Sequence, residues 1–407
     1  MAPGAHEKVG NRNEEFKRFE EELVLRHRAQ MLGEMQAKLE EMDRGLSAAV
    51  LQSGRYVDKG YVRRKVETSV GTVWVRIKRL KRQGRAGSVY ALFTDSGVSR
   101  ISERAQAHCV QVAVGQSYRT SQETLRHLNG MQMSRMGIWK IVQSKGKKER
   151  ERVEEQRQKV FGLGEVPNSD KPTKQAAVVE VDGTMVSSRE TTEIEEVRGK
   201  RKMEVKLGVA FTGTEVVSGR RRRTVERLYY AQAGKAEEFG ERWYGECLRH
   251  GIEPETRVHF LGDGAAWIRN LQRRMFPGSR YTLDAYHLQK AAQAVLTQRQ
   301  HHHFLSFVRK NNALEALRYV KQLQGSDAAH RLELEMFCAY LERNLDGIRY
   351  DRPGPVGSGV VEKAADVVVG RRMKRRGMSW SREGANNLLA LRVRELNNQS
   401  DRQESGL

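Results

Sequence analysis

The stretch RVHFLGDGAAWIRN, residues 257–270, constrains the fold more than any other. An apolar run short enough for a buried strand stops at Gly262-Asp263-Gly264, and the chain resumes at Ala265 as a helix-forming segment. A similar strand-to-acid step occurs in AAVVEVDGT at 176–184, where the run leads into Asp182. Strands alternating with helices imply an α/β domain. KMEVKLGVAFTG and TVERLYYAQ flank a basic, glycine-containing turn and read as an antiparallel pair, while EEFGERWYGECLRH reads as a helix. The short strand RYTLD and a long helical stretch from Leu288 to Asn344 follow, up to the break RPGPVGSG. The last helical material carries VVEKAADVVVGRR and EGANNLLALRVREL, and the tail NNQSDRQESGL has the composition of a disordered segment.

The N-terminal part has a different texture. Residues 13–52 are rich in strong helix formers with apolar residues at helical spacing, which predicts one or two helices within 1–55. Three strand-like runs, YVRRKVET, GTVWVRIKRL and SVYALFT, predict a small sheet within 56–97. Residues 98–160 return to helix. There Thr120 or Ser121 is expected to cap one helix, Gly130 to break it, and Ser134 to cap a second carrying Met136, Ile138, Trp139 and Ile141. This is the outline of a helix-turn-helix, with Arg135 and Lys140 placed to reach DNA; two ordinary packed helices fit it equally well. Residues 162–174, with Pro167 and Pro172, read as a linker.

Charge narrows the partners. Against 51 Asp and Glu stand 73 Lys and Arg, a formal net charge of +22 that favours a polyanion, with nucleic acid the first candidate. The excess is clustered, at KRLKRQGR (78–85), KGKKERER (145–152), RRRR (220–223) and RRMKRR (371–376). Arg220, Arg221 and Arg222 in the third cluster, and Arg371, Arg372, Lys374, Arg375 and Arg376 in the fourth, are candidate DNA contacts. Trp380 just beyond could stack on a base or anchor the core. The 3 Cys form no CxxC pair, which argues against a disulfide framework or a zinc knuckle. The consecutive His301, His302 and His303 cannot all face one ion from a helix and are expected to face solvent or DNA. An N-terminus without an apolar signal core and the absence of a membrane-length apolar run suggest a cytoplasmic, nucleoid-associated protein.

Three acids stand out against this frame: Asp182, Asp263 and Glu362. If the two Asp-bearing strands are neighbours, both carboxylates emerge at one sheet edge, where a helix packed across it can present Glu362. Like charges brought together are stabilised by a divalent cation, and Mg²⁺ (or Mn²⁺) prefers such hard oxygen ligands. Two ions about 4 Å apart would suit an in-line phosphoryl displacement. Singly, each Asp-Gly reads as a turn and Glu362 as a solvated helix residue. Glu180, on the strand face of Asp182, and Asp366, one turn beyond Glu362, are alternatives for the third position.

The combination of VDGT, LGDGAAWI, LDAYHLQK and VVGRRMKRRGMSWSREGANNLLALR resembles the DDE-type transposases of bacterial insertion sequences, closest to the Lre-type and Kra-type groups. TSVGTVWVRIKR and SYRTSQETL extend the resemblance to the N-terminal part, and GMSW with GANNLLALR is its most specific piece. The resemblance implies an α+β multidomain chain whose ribonuclease-H-like α/β catalytic domain comprises 172–287 plus 352–398, with 288–351 as a helical insertion. It implies Asp182, Asp263 and Glu362 as catalytic metal ligands. It also implies a supporting role for His287, from the D-x-x-H element Asp284-Ala285-Tyr286-His287. Some relatives carry Cys in the N-terminal sheet; this chain has none, so no zinc role is carried over. The implied function is a transposase that binds double-stranded DNA at element ends, cleaves it and joins the ends to target DNA, as a homo-oligomer. A domesticated DNA-binding or regulatory protein is the alternative, and a ribonuclease or resolvase fits the large N-terminal region less well.

Overall fold

The computed structural model describes residues 5–94, 98–165, 169–190, 195–197, 200–219 and 221–404. The chain divides into two compact units, Met1–Val142 and Gln143–Leu407.

The first unit starts with a single 48-residue helix, α1 (Ala5–Gln52). The strands β1 (Tyr56–Thr68) and β2 (Gly71–Arg82) form an antiparallel hairpin. Period-two alternation buries Val66, Val73, Val75 and Ile77 on one face, where Leu32, Met35, Leu39, Met42 and Leu46 of α1 cover them. The same helix turns two acids to the strand edge: Glu40 accepts the Arg76 N–H at 2.8 Å and Asp43 the Lys78 N–H at 2.7 Å. The run SVYALFT is not a third strand. Val89 makes one bridge to Leu80, after which the Tyr90 carbonyl accepts from Phe93 and Thr94 and the chain turns into α2 (Ala91–Thr94). Helices α3 (Glu103–Ala113) and α4 (Tyr118–Asn129) follow. The cap of α4 is Ser117, whose hydroxyl accepts the Thr120 N–H at 3.1 Å; Thr120 and Ser121 lie inside the helix. Gly130 ends it in the left-handed conformation, φ 68°. Helix α5 (Arg135–Gly162) then runs across the division between the units, which therefore falls inside a helix and not in the linker.

The second unit is built on a mixed sheet. Strands β3 (Ala176–Ser187), β4 (Glu195–Val197), β5 (Lys200–Phe211), β8 (Leu228–Ala233), β9 (Arg257–Gly262) and β10 (Arg280–Leu283) are ordered β10-β9-β3-β5-β4, with β8 also on β5. Strands β10, β9 and β3 are parallel; β5 is antiparallel to β3, β4 and β8. The expected pair of KMEVKLGVAF with LYYAQ is β5 with β8. What reads as a turn between them is a further hairpin, β6 (Gly213–Ser218) with β7 (Arg221–Val225). Helices α6 (Ala236–Arg249) and α7 (Ala266–Met275) lie either side of β9 in sequence. After β10 come α8 (Ala285–Val295), α9 (Gln298–Arg309), α10 (Ala313–Gln322) and α11 (Ala328–Asn344). Phe304, Leu317, Phe337 and Leu341 of this helical region share one core with Val179, Val181 and Phe260 of the sheet. The chain closes with α12 (Gly359–Ala364), a π-helical segment Ala365–Gly370, one helical turn α13 (Arg371–Met373), and α14 (Arg382–Glu404).

Two expectations are corrected here. Asp182 does not end its strand: β3 continues to Ser187, with Asp182 opposite Leu207 and Gly183 opposite Lys206. The glycine serves close packing, since a Cβ at Gly183 would lie 2.2 Å from Glu204 Oε1. Most of the tail is ordered as the end of α14, because Asn397 is buried against β8: its Oδ1 accepts the Tyr229 N–H at 2.8 Å and its Nδ2 donates to the Tyr229 carbonyl at 3.1 Å. No helix among the described residues is long and apolar enough to cross a membrane.

Candidate functional site: a carboxylate cluster at the sheet edge

Parallel pairing of β3 with β9 sets the site. The ladder runs from Ala176–Arg257 to Glu180–Leu261, and extending that register by two residues brings Asp182 level with Asp263. β9 stops at Gly262 while β3 continues, so Asp263 sits in a loop beside a strand. The loop is closely held. Asp263 Oδ1 accepts the Ala265 N–H at 2.8 Å, the Tyr340 hydroxyl donates to the Asp263 carbonyl at 2.8 Å, and Asn344 Nδ2 donates to the Gly264 carbonyl at 3.1 Å. Gly264 has φ +88°, and a Cβ there would meet Tyr340 at 2.5 Å, so only glycine fits without strain.

Two further acids fix the helix that carries Glu362. Glu180 is fully buried, and its Oε2 accepts the Val361 N–H at 2.8 Å, joining β3 to the first turn of α12. Burial pushes the Glu180 carboxyl up to about 7. Asp284, also buried, accepts from the Ser358 hydroxyl at 2.7 Å and the Ser358 N–H, and its other oxygen accepts the His287 N–H at 2.9 Å. The His287 side chain, then the Ser358 and His287 N–H groups and the Ser358 hydroxyl, together outweigh burial and hold Asp284 far below the ordinary carboxylate range. His287 Nδ1 lies 3.2 Å from Asp284 Oδ1, an ionic contact short of a well-aligned hydrogen bond, and the imidazole is raised by Asp284, then by the charges of Asp263 and Asp182.

Asp182, Asp263, Glu362 and His287 feel one another's charge: the Asp182 carboxyl is raised by burial, lowered by the Gly183 N–H, raised by Asp263, lowered by His287 and raised by Glu362. Glu362 is exposed. Lys374 joins them, its Nζ donating to Thr184 Oγ1 two residues from Asp182; burial lowers its amine and Asp182 raises it. Asp366, by contrast, is engaged by Arg371 at 3.1 Å and Lys363 at 3.6 Å.

Arg371, Arg375 and Arg376, which follow Glu362 in the chain, are exposed; so, in the first unit, are Arg135 and Lys140 on α5. Arg372 is corrected and Trp380 takes the core-anchor alternative: both are buried, the guanidinium 5.3 Å from the indole ring centre, and the indole N–H donates to the Met373 carbonyl at 3.1 Å. The pair packs the interior and offers nothing to a base. His301 is likewise corrected, being buried on the core side of α9 while His302 and His303 are exposed, as helical periodicity requires. Arg220 lies outside the described residues, and Arg221 and Arg222 stand in β7 opposite Ser218 and Val216.

Sequence reasoning weighed Glu180 only as a substitute ligand and missed its bond to α12; a lone Glu inside an otherwise apolar strand was the available signal. It also missed the approach of Lys374 to Thr184, for which no local pattern exists.

The donor set, carboxylates with one imidazole and a charge cluster that raises Asp182, suits a hard divalent cation. Among the described residues no group of three or more His, Cys, Asp or Glu is drawn close enough to hold an ion. The comparison with curated proteins gives no match. Residues 13–405 match the Uncharacterised protein family (UPF0236), and the chain belongs to that family.

Proposed function

We propose that the chain is a DDE-type DNA transposase with a ribonuclease-H-like catalytic domain, acting on double-stranded DNA as a homo-oligomer in the cytoplasm. The observation that carries this reading is the electrostatic convergence of Asp182, Asp263, Glu362 and His287 where two parallel neighbour strands diverge. Asp182, Asp263 and Glu362 would hold Mg²⁺ or Mn²⁺, two ions in the full assembly. When bound, such ions activate the attacking oxygen and stabilise the leaving one in phosphodiester hydrolysis and strand transfer. The chain's own part is orientation. Glu180 and Asp284 fix the start of α12, Tyr340 and Asn344 fix the Asp263 loop, and His287, its imidazole raised by Asp284, adds a proton-carrying group to the acids. Lys374, Arg371, Arg375 and Arg376 supply positive charge for the DNA backbone.

The test is metal-dependent cleavage and joining of DNA flanking the protein's own gene. Asp182→Ala, Asp263→Ala and Glu362→Ala should each abolish both steps, by at least about 1,000-fold, while DNA affinity changes little, since affinity comes mainly from Lys and Arg contacts to phosphate. Strand transfer retained in all three variants would overturn the reading. Specific DNA binding without cleavage by the unaltered protein would identify a regulatory DNA-binding protein instead.

A further inference from the structure

We infer that the outer face of the β1–β2 hairpin is a duplex-DNA-binding surface, distinct from the helical elements of its unit; this rests on the reading above only in taking DNA as the partner. The hairpin register places Tyr61 opposite Lys78, Arg63 opposite Arg76 and Lys65 opposite Trp74. All six side chains belong to one face, because their alternating neighbours Val62, Val66, Val73, Val75 and Ile77 pack on the other. The inner face explains the valines; on the outer one, Tyr61, Arg63, Trp74 and Arg76 line an open concavity together with Gln36 and Glu40 of α1. Trp74 and Tyr61 are each 45% exposed.

Arg63 and Arg76 stand directly across from one another, an arrangement that like-charge repulsion disfavours in an isolated hairpin. Neither guanidinium makes an ion pair among the described residues; the Glu40 carboxylate takes the Arg76 backbone N–H instead. Each is instead laid over a ring of the opposite strand: the Arg63 guanidinium is 5.1 Å from the Trp74 ring centre, and that of Arg76 is 4.8 Å from Tyr61. Stacking of this kind holds the planar fork in place and leaves its N–H groups outward, which suits bidentate capture of phosphate. The remaining two cations are engaged differently, Lys78 with Asp58 and Lys65 with Glu67 and the Gln132 carbonyl.

The occupant follows from charge and shape. The face presents two ring-stacked guanidinium groups that make no ion pair among the described residues, on a two-stranded ribbon whose strands are 13 and 12 residues long. A two-stranded ribbon fits the major groove, about 12 Å wide, and its cations then meet both phosphate walls. On the β2 side the strand edge is already closed by Glu40 and Asp43, so the surface there recruits through side chains and not by strand addition.

The test measures binding of the full-length protein to duplex DNA across a salt series, with cleavage read on the same samples at saturating DNA. Arg63→Ala with Arg76→Ala should reduce the magnitude of the log–log salt slope by about two units, since each phosphate contact contributes about 0.9. Arg63→Lys with Arg76→Lys should preserve the slope yet lose affinity several-fold, because lysine keeps the charge and loses the stacked fork. Trp74→Ala, a surface change, should likewise weaken binding with little change in slope. An unaltered slope and affinity in the double alanine variant overturn the inference, as does displacement of the duplex by equimolar single-stranded RNA, or a lack of DNA binding by the unaltered protein. Slope changes as expected in a protein that never cleaves would sink the catalytic reading alone; cleavage abolished by Asp182→Ala with an unchanged hairpin slope would sink this inference alone.

Discussion

At the scale of single residues, the unusual groups are the two buried acids that hold α12. An acid raised by folding ionises less readily in the folded state than in the unfolded chain. Glu180 therefore contributes most below about 4.5, and the protein loses stability as pH rises from there toward about 7. Glu180→Gln keeps an oxygen to accept the Val361 N–H and removes the titration. In the presence of chelator it should raise stability at pH 8 by on the order of 2 kcal/mol and leave it nearly unchanged at pH 4.5. Denaturation at the two pH values checks this, and an equal change at both would detach Glu180 from the pH dependence. His287 has the same pH dependence for a different reason: Asp284 raises its folded value, so its contribution is fully present below about 6.5 and is lost as pH climbs through the raised folded value. Asp284→Asn should lower the imidazole titration midpoint, followed by NMR; an unmoved midpoint would show that Asp284 does not charge the ring. Neither acid's role could be read from the chain. Glu180 and Val361 are 181 residues apart, and no periodicity links positions so distant.

Among the elements, α14 does something its sequence signals only faintly. β8 pairs with β5 on one side, and its other edge would leave backbone groups open. Two asparagines of the helix close it. Asn386 accepts the Ala233 N–H at 2.8 Å and donates to its carbonyl at 2.9 Å, and Asn397 does the same at Tyr229. Eleven helical residues span about 16 Å and four strand residues about 13 Å, which is why the two pairs stay in step. Asn386→Ala and Asn397→Ala should each cost about 2 to 4 kcal/mol, since a buried N–H and a buried carbonyl lose their partners together, and the two losses should add. Urea melts of the single and double variants decide the matter; losses under half a kcal/mol would mean that water replaces the amides. Strands and helices with strong periodicity, such as β9, α6 and β1–β2, were legible because their patterns are local. The run SVYALFT and the tail were misread because β-propensity and polarity both yield to tertiary contact, Leu80 in one case and β8 in the other. The neighbouring strands of the site were legible as well, whereas the burial of Arg372 under Trp380 was not, because a run of cations reads as solvated whichever member turns inward.

For the whole molecule, the division of the chain within α5 makes the clearest demand. The Pro-containing stretch after Gly162 looks like the natural boundary, yet the second half of α5 belongs to the sheet unit. Val153 is part of that unit's core, Arg152 makes two hydrogen bonds to Glu246 at 3.1 and 3.0 Å, Arg157 reaches Glu241 at 2.9 Å, and Arg242 reaches back to Glu154 at 2.9 Å. Gly146 lets the helix touch α14 so closely that a Cβ there would lie 2.1 Å from the Asn387 carbonyl oxygen. Removing this half helix takes Arg152 away from Glu246, only 5% exposed, leaves Arg249 at 3.5 Å as its cation, and strips Val153 from the core. A chain beginning at Gln143 should therefore melt in one cooperative transition. A chain beginning at Leu163 should melt about 10 °C lower or more, or fail to fold. Circular dichroism of the two fragments makes the comparison. Equal melting temperatures would return the boundary to the linker and leave the second half of α5 as an arm with no part in the sheet unit.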